Sequence, residues 1–221
     1  MSQLKYPKIE TVFSRDDSIP GRPVKVDELR CPEFALVKHW TLTEKIDGTN
    51  IRIILSADGS VCYAGRTDEA QIPKPLLAEL ERRFPSSVVA PAFDPGTNAV
   101  LFGEGYGAGI QKGGSYSPVP SFRLFDVAVI GGRLWWLELD SVNDIAEKIG
   151  CETAPVVARG ATVFDAVSVL KNRLPSQVSA MEGTPRECEG VVARTEPLLL
   201  MRNGERVIWK LKIRDFVGGG V

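Results

Sequence analysis

The stretch from Thr43 to Ile54 reads T-E-K-I-D-G-T-N-I-R-I-I, setting an amine, a carboxylate two residues on and a glycine just before a β-branched run. This order reads as strand, sharp turn, strand. Lys45 ends the incoming strand, Asp47-Gly48 forms the turn, and Ile51, Ile53 and Ile54 belong to a buried outgoing strand. A lysine at the rim of a sheet, beside a tight glycine turn, is placed to act as a nucleophile. An isolated K-x-D-G match fits a solvated hairpin lysine equally well, so the other chemistry-bearing residues have to decide.

Five further stretches carry such residues. Gly65-Arg66-Thr67 ends a strand with an arginine, and Phe102-Gly103-Glu104-Gly105 ends another with a carboxylate. Arg123-Leu124-Phe125-Asp126 sets an aromatic and an acid in a strand, and Glu189-Gly190-Val191-Val192 opens a strand with a second carboxylate. Trp209-Lys210-Leu211-Lys212 alternates two lysines onto one strand face, because side chains on a strand repeat every second residue. Each alone has an ordinary structural explanation: a core phenylalanine, a solvated lysine face.

The elements that must position these residues follow from patterning. The first forty residues, with Pro7, Pro20, Pro23 and Pro32, read as an irregular arm with short strands. Asp58-Gly59 and Gly131-Gly132 mark two hairpins. Leu76, Leu77, Leu80 and Phe84 predict a helix over 73–84, and a serine cap at Ser141 with Gly150 past the end predicts another over 141–149. A further helix is expected over 162–174, with strands at 98–103, 189–194 and 205–213. The pattern contains no internal repeat and no convincing linker.

Composition narrows the chemistry. The chain has 221 residues, 43% hydrophobic and 25% charged, as in an ordinary globular protein, with a formal net charge of −1. No overall positive field marks a nucleic-acid binder, so any polyanion site must come from local clusters. Cys31, Cys62, Cys151 and Cys188 show no C-x-x-C spacing, which favours free thiols over zinc or a disulfide framework. With His39 as the single histidine, Ser-His and Cys-His hydrolase schemes are poorly served. No apolar stretch approaches membrane-spanning length and no leader is visible, so the expected location is cytoplasmic, with no membrane partner.

Together and in this order, the six stretches resemble the covalent nucleotidyltransferase superfamily of polynucleotide ligases and RNA capping enzymes. The resemblance spans about Thr41 to Ile213 and is strongest to the RNA ligase 2 type, whose E-K-x-x-G-T-N is matched by Glu44 to Asn50 and whose I-Q-K is matched by Ile110-Gln111-Lys112. Asn50 stands where DNA ligases typically have arginine, which favours RNA. The resemblance implies an α+β chain with the nucleotidyltransferase (ATP-grasp-like ligase) fold: two largely antiparallel sheets around a nucleotide cleft, with flanking helices. The expected domains are an N-terminal arm over 1–40, packed on the core, and an adenylyltransferase domain over 41–221, without a C-terminal OB or helical domain.

The resemblance also implies residue roles. Lys45 is the catalytic nucleophile toward the α-phosphorus of ATP, forming lysyl-AMP, and Lys210 and Lys212 contact the α-phosphate. Glu44, Asp47, Asn50, Arg66, Glu104, Phe125, Glu189 and Arg194 make up the nucleotide site: Glu104 on the ribose hydroxyls, Phe125 stacked on adenine, Arg66 on the sugar and phosphate side, Asn50 and Arg194 near the acceptor end or phosphates. Glu189 is the expected metal carboxylate for Mg²⁺ or Mn²⁺. Lysine ionises at about 10.4 in isolation, so Lys45 needs neighbours that favour the neutral amine. The role of Asp47 is left open between an Asx-type turn bond, Lys45 and the metal.

The expected activity is ATP-dependent RNA ligation and repair, joining a 3′-hydroxyl to a 5′-phosphate, on a nicked duplex or another RNA, with a partner protein in place of the missing C-terminal domain. The alternatives are a small DNA ligase, a capping-type guanylyltransferase, or a non-catalytic nucleotide- or RNA-binding module of the same fold.

Overall fold

A computed structural model describes residues 4–110 and 112–216. The strands and helices run β1 (Phe13–Arg15), β2 (Val24–Leu29), β3 (Trp40–Lys45), β4 (Thr49–Leu55), β5 (Val61–Ala64), α1 (Lys74–Arg83), α2 (Ser86–Val89), β6 (Ala99–Tyr106), β7 (Ser121–Gly131), β8 (Arg133–Trp136), α3 (Leu139–Lys148), β9 (Val156–Ala161), α4 (Val163–Lys171), α5 (Gln177–Met181), β10 (Gly190–Arg194) and β11 (Ile208–Lys212). They fall into two compact units. One comprises Met1–Pro7, Asp47–Ala154 and Glu182–Thr184; the other comprises Lys8–Ile46, Pro155–Met181 and Pro185–Val221.

The first unit is built on an antiparallel sheet of order β5-β4-β6-β7-β8. Alternation along β4 explains its faces: Ile51, Ile53 and Leu55 are buried in a core with Leu76, Leu80, Val142 and Ile145 of the helices. Each such side chain contributes roughly 1.5–3 kcal/mol on burial, enough to orient the strand. Ile54, expected in that core, points to the other face, where it pairs with Cys62 and Val100 and is half-buried. The Asp58-Gly59 turn forms as expected, Gly59 taking a φ of +83°. So does the Gly131-Gly132 turn that joins β7 to β8.

The second unit holds an antiparallel sheet of order β11-β10-β3-β9 and a two-stranded sheet of β1 and β2. Trp40, Leu42, Val191, Ala193, Trp209 and Leu211 form its core with Ala166 and Leu170 of α4. Thr162 caps α4 in a reciprocal pair with Asp165.

Two further expectations change, and one strand is new. The Thr43–Ile54 stretch is not a hairpin: β3 pairs with β9 and β10, whereas β4 pairs with β5 and β6. Leu42 and Ile51 serve different cores, and that outweighs their closeness in sequence. Helix α3 begins two residues before Ser141, with Glu138 at its N-cap and no side-chain capping bond; Leu139, buried in the core, draws the helix back past the serine. Strand β9 was not foreseen, because its half-exposed edge sequence V-V-A-R-G-A alternates weakly and pairs with β3 through shifted registers. Among the described residues, no helix is long and apolar enough to cross a membrane.

Candidate active-site residues

In the second unit, register brings two expected residues, Lys45 and Lys212, together. Lys45 of β3, Gly190 of β10 and Lys212 of β11 stand side by side across the sheet. Two residues along β11, Lys210 pairs with Val192, itself opposite Thr43. Residues in one cross-strand row share a face. Lys45, Lys210, Lys212 and Arg194 therefore lie on the face opposite the Trp209 and Leu211 core.

Glu189 immediately precedes β10. One carboxylate oxygen takes the Lys45 ammonium at 2.5 Å, and the other pairs with Lys212. Burial opposes ionisation of Glu189, but the two ammoniums outweigh it and hold its carboxyl below the usual range. For Lys210 burial is the largest influence; with the like charges of Lys212 and Lys45 it pulls the ammonium down to about 8, against Glu10 and Glu189. Gly190 has a packing reason to be glycine, since a Cβ there would meet the Leu211 carbonyl oxygen at 2.2 Å.

Glu44 is placed differently from its neighbour Lys45. One residue of alternation turns it toward the core side, where it is 3% exposed. Its carboxylate accepts the Ser176 hydroxyl at 2.5 Å and the Gln177 and Val178 N–H groups at 2.9 and 3.3 Å, at the start of α5. The geometry assigns Glu44 to holding that turn, and the expected nucleotide contact has no support from its position.

In the first unit, Asn50, Glu104 and Arg123 form one row across β4, β6 and β7 on the sheet face away from the core. Strand β6 runs on to Tyr106, so Glu104 lies inside a strand rather than at its end. The glycines around it are sterically required. A Cβ on Gly103 would meet the Phe122 ring at 2.2 Å, and one on Gly105 would meet Leu76 at 2.4 Å. Gly48 has the same kind of reason: its Cβ would sit 2.2 Å from the Gly105 carbonyl oxygen. Glycine is needed in the K-x-D-G stretch for close approach to β6, and its φ is not in the left-handed region. Asn50 Oδ1 is buried and has no hydrogen-bond partner among the described residues.

Phe125 sits at a β-bulge, because Phe102 pairs with Asp126 while Gly103 pairs with Leu124. A bulge re-aims a side chain out of strict alternation. Arg66 is exposed just past the end of β5, and Asp47 is half-buried between β3 and β4. Of the I-Q-K segment, Ile110 is buried, whereas Gln111 lies outside the described residues, as does the side chain of Lys112.

Sequence reading missed Tyr6. Its ring lies edge-on to Phe125 at 5.1 Å and to Phe102 at 5.0 Å, and its hydroxyl donates to buried Asp126 at 2.5 Å. Nothing local marked it, since it sits in the proline- and charge-rich arm 120 residues before its partner. It also missed Arg52, buried in β4 and bonded to the Gly65 carbonyl and Asp68, which ties down the chain on either side of Arg66.

Two antiparallel sheets with flanking helices, one carrying clustered lysines around a carboxylate, make a nucleotidyltransferase fold of ligase type. Residues 38–212 match the family model described as RNA ligase, and the chain belongs to that family. Among solved structures it is similar to Naegleria gruberi RNA ligase with pyrophosphate, with a TM-score of 0.60 and 18% identity over 94% of this chain and 61% of that one. It is likewise similar to a lysine-to-methionine mutant of that ligase with AMP and Mn, with a TM-score of 0.61 and 18% identity over 93% of this chain and 59% of that one. The chain thus spans less than two thirds of these ligases, and identity at this level speaks for the fold. No curated protein matches the sequence significantly.

Proposed function

We propose that this chain is an ATP-dependent RNA ligase working through a covalent lysyl-AMP intermediate. The observation that carries the reading is the Lys45–Glu189–Lys212 cluster, with Lys210 on the same sheet face. Lysines in register around a single carboxylate gather positive charge where a polyphosphate needs it.

In this reading Lys45 Nζ, as the neutral amine, attacks the α-phosphorus of ATP. A nitrogen–phosphorus bond forms, the α–β phosphoanhydride bond breaks, and pyrophosphate leaves with its electron pair. Lys210 and Lys212 neutralise charge on the α-phosphate, while Glu189 releases Lys45 and accepts the proton its nitrogen loses on bonding to phosphorus; the same carboxylate would hold the waters of a divalent ion. AMP then passes from Lys45 to a 5′-phosphate, and a 3′-hydroxyl displaces it to close the phosphodiester. Glu104 is assigned to the ribose hydroxyls, Phe125 to stacking on adenine, and Arg66, Asn50 and Arg194 to sugar, phosphate or acceptor contacts, and Asp47 remains a member of the nucleotide site. Stacking on an aromatic contributes roughly 1–3 kcal/mol per base, enough to orient adenine.

The donor set fits a divalent ion only in a restricted way. Both oxygens of Glu189 are engaged by ammoniums, and no group of three His, Cys, Asp or Glu gathers among the described residues. That suits a largely hydrated Mg²⁺ or Mn²⁺ held by one or two carboxylates together with substrate phosphates. When bound, such an ion supplies charge neutralisation at the phosphates. The ATP, AMP and Mn of the ligase structures agree with this choice of ligands. The RNA substrate, whether a nicked duplex or another form, and a partner protein that helps hold it, belong to the same proposal.

The test is incubation with α-labelled ATP and Mg²⁺ or Mn²⁺. Wild-type protein should become covalently labelled and Lys45→Ala should not. An unlabelled wild type, or a labelled Lys45→Ala, would overturn the reading, and labelling by GTP but not ATP would transfer it to a guanylyltransferase. Sealing of a nick with a 3′-ribose over one with a 3′-deoxyribose is the expected polynucleotide preference.

A further inference from the structure

Strand β11, which carries both K-x-K lysines, has a second neighbour besides β10. The Val12 N–H donates to the Lys210 carbonyl at 3.2 Å, and the Lys210 N–H donates to the Glu10 carbonyl at 3.0 Å, with Thr11 set parallel opposite Lys210. Two residues on, the Lys212 N–H donates to one oxygen of Asp215 at 2.9 Å. The other oxygen of Asp215 takes the Arg15 guanidinium at 2.6 Å. Arg15 also donates to the Arg22 carbonyl at 2.8 Å.

The pattern follows from strand geometry. With the Lys210 and Lys212 side chains on one sheet face, their backbone amides point away from β10, toward what would otherwise be an open edge. The arm satisfies the first amide and Asp215 the second. Asp215 is 3% exposed, so its charge must be matched inside the fold, and Arg15 matches it. Continuous contacts then run from Arg15 to Asp215, to Lys212, to Glu189 and to Lys45. Glu10, Arg15 and Asp215 all lie outside the stretch that matches the ligase family.

We propose that the N-terminal arm is a clamp on the K-x-K strand, in which Arg15, acting through Asp215, is a positioning residue for Lys212 and hence for the Glu189–Lys45 pair. The proposal rests on the reading of Lys45 as the AMP acceptor. Phosphoryl transfer depends mainly on placement and charge, and small displacements of the placing groups cost large factors in rate.

The experiment measures single-turnover labelling by α-labelled ATP across ATP concentrations, on the full chain and on Arg15→Ala, Arg15→Lys and Asp215→Asn, with thermal unfolding of each. Arg15→Ala should lower the maximal labelling rate roughly tenfold, more than it raises half-saturating ATP. Arg15→Lys, which keeps a cation on Asp215, should restore most of that rate. Asp215→Asn, which keeps the side-chain shape, should slow labelling in the same direction.

Equal maximal rates in wild type and Arg15→Ala would overturn the clamp. So would a loss that Arg15→Lys leaves unrestored or that follows the unfolded fraction. A wild type that takes no label overturns the clamp and the ligase reading together, whereas a labelled wild type with an indifferent Arg15→Ala overturns the clamp alone.

Discussion

Lys210 gives the sharpest test of the electrostatics, through the substitution Lys210→Arg. Its ammonium is pulled down to about 8, chiefly by burial and then by the like charges of Lys212 and Lys45. If its positive charge is needed at the α-phosphate, activity on the free enzyme should fall as that proton is lost. For a group titrating near 8, the charged fraction drops roughly tenfold between about pH 7 and about pH 9. Labelling at subsaturating ATP should therefore fall with an alkaline limb near pH 8. Arginine stays charged throughout this range, so Lys210→Arg should lose the limb even if its peak rate is lower. The assay is the initial rate of covalent labelling under kcat/KM conditions, from about pH 6 to about pH 10. An alkaline limb at the same pH in Lys210→Arg would refute the assignment. The same depression makes the charged Lys210 costly to the fold below about pH 8, a cost relieved as pH rises toward the unfolded lysine value of about 10.4.

Three further substitutions test the supports of the candidate site. Gly48→Ala should destabilise the fold by more than about 1 kcal/mol, because the new Cβ falls 2.2 Å from the Gly105 carbonyl and both are backbone-bound; thermal unfolding checks it. Glu44→Ala should cost about 2–3 kcal/mol in denaturant unfolding, since it strips the buried Ser176 hydroxyl and two amides of α5 of their acceptor. Tyr6→Phe should cost about 1–2 kcal/mol by removing a buried donor to Asp126 while keeping the ring against Phe125; an unchanged unfolding midpoint would argue against that bond.

What was legible in the sequence was what depends on local alternation. W-K-L-K announces two lysines on one face and two apolar residues on the other, and β11 has that arrangement. The hairpins at Gly59 and Gly131-Gly132 were legible for the same reason. Long-range pairing was not. Nothing local says that β3 and β4, three residues apart, enter different sheets, because that choice is made by Val191 and Leu101 further along the chain. The bulge at Phe125 is likewise invisible, as it arises from a mismatch between β6 and β7. Glu44 and Lys45 looked like one motif, yet one residue of alternation separates a buried support for α5 from an amine paired with Glu189.

The net charge of −1 concealed the local field, and Gly190 shows how that field is built. The position between Lys45 and Lys212 in their row cannot hold a side chain, because a Cβ there would collide with the Leu211 carbonyl. No acid can therefore stand between the two lysines inside the sheet. The one carboxylate that serves both, Glu189, comes from just before the strand and is shared, an oxygen to each. Three ammoniums face that carboxylate, and even with Glu10 counted near Lys210 the balance on this face stays positive. Burial first, and then the like charges of Lys212 and Lys45, lower Lys210, and a bound polyphosphate would relieve the repulsive part. A face that is strained when empty and relaxed by an anion binds that anion more tightly, because its repulsion is released on binding. The row Lys45–Gly190–Lys212 itself is the physical reason to place the phosphates of the proposed substrate there.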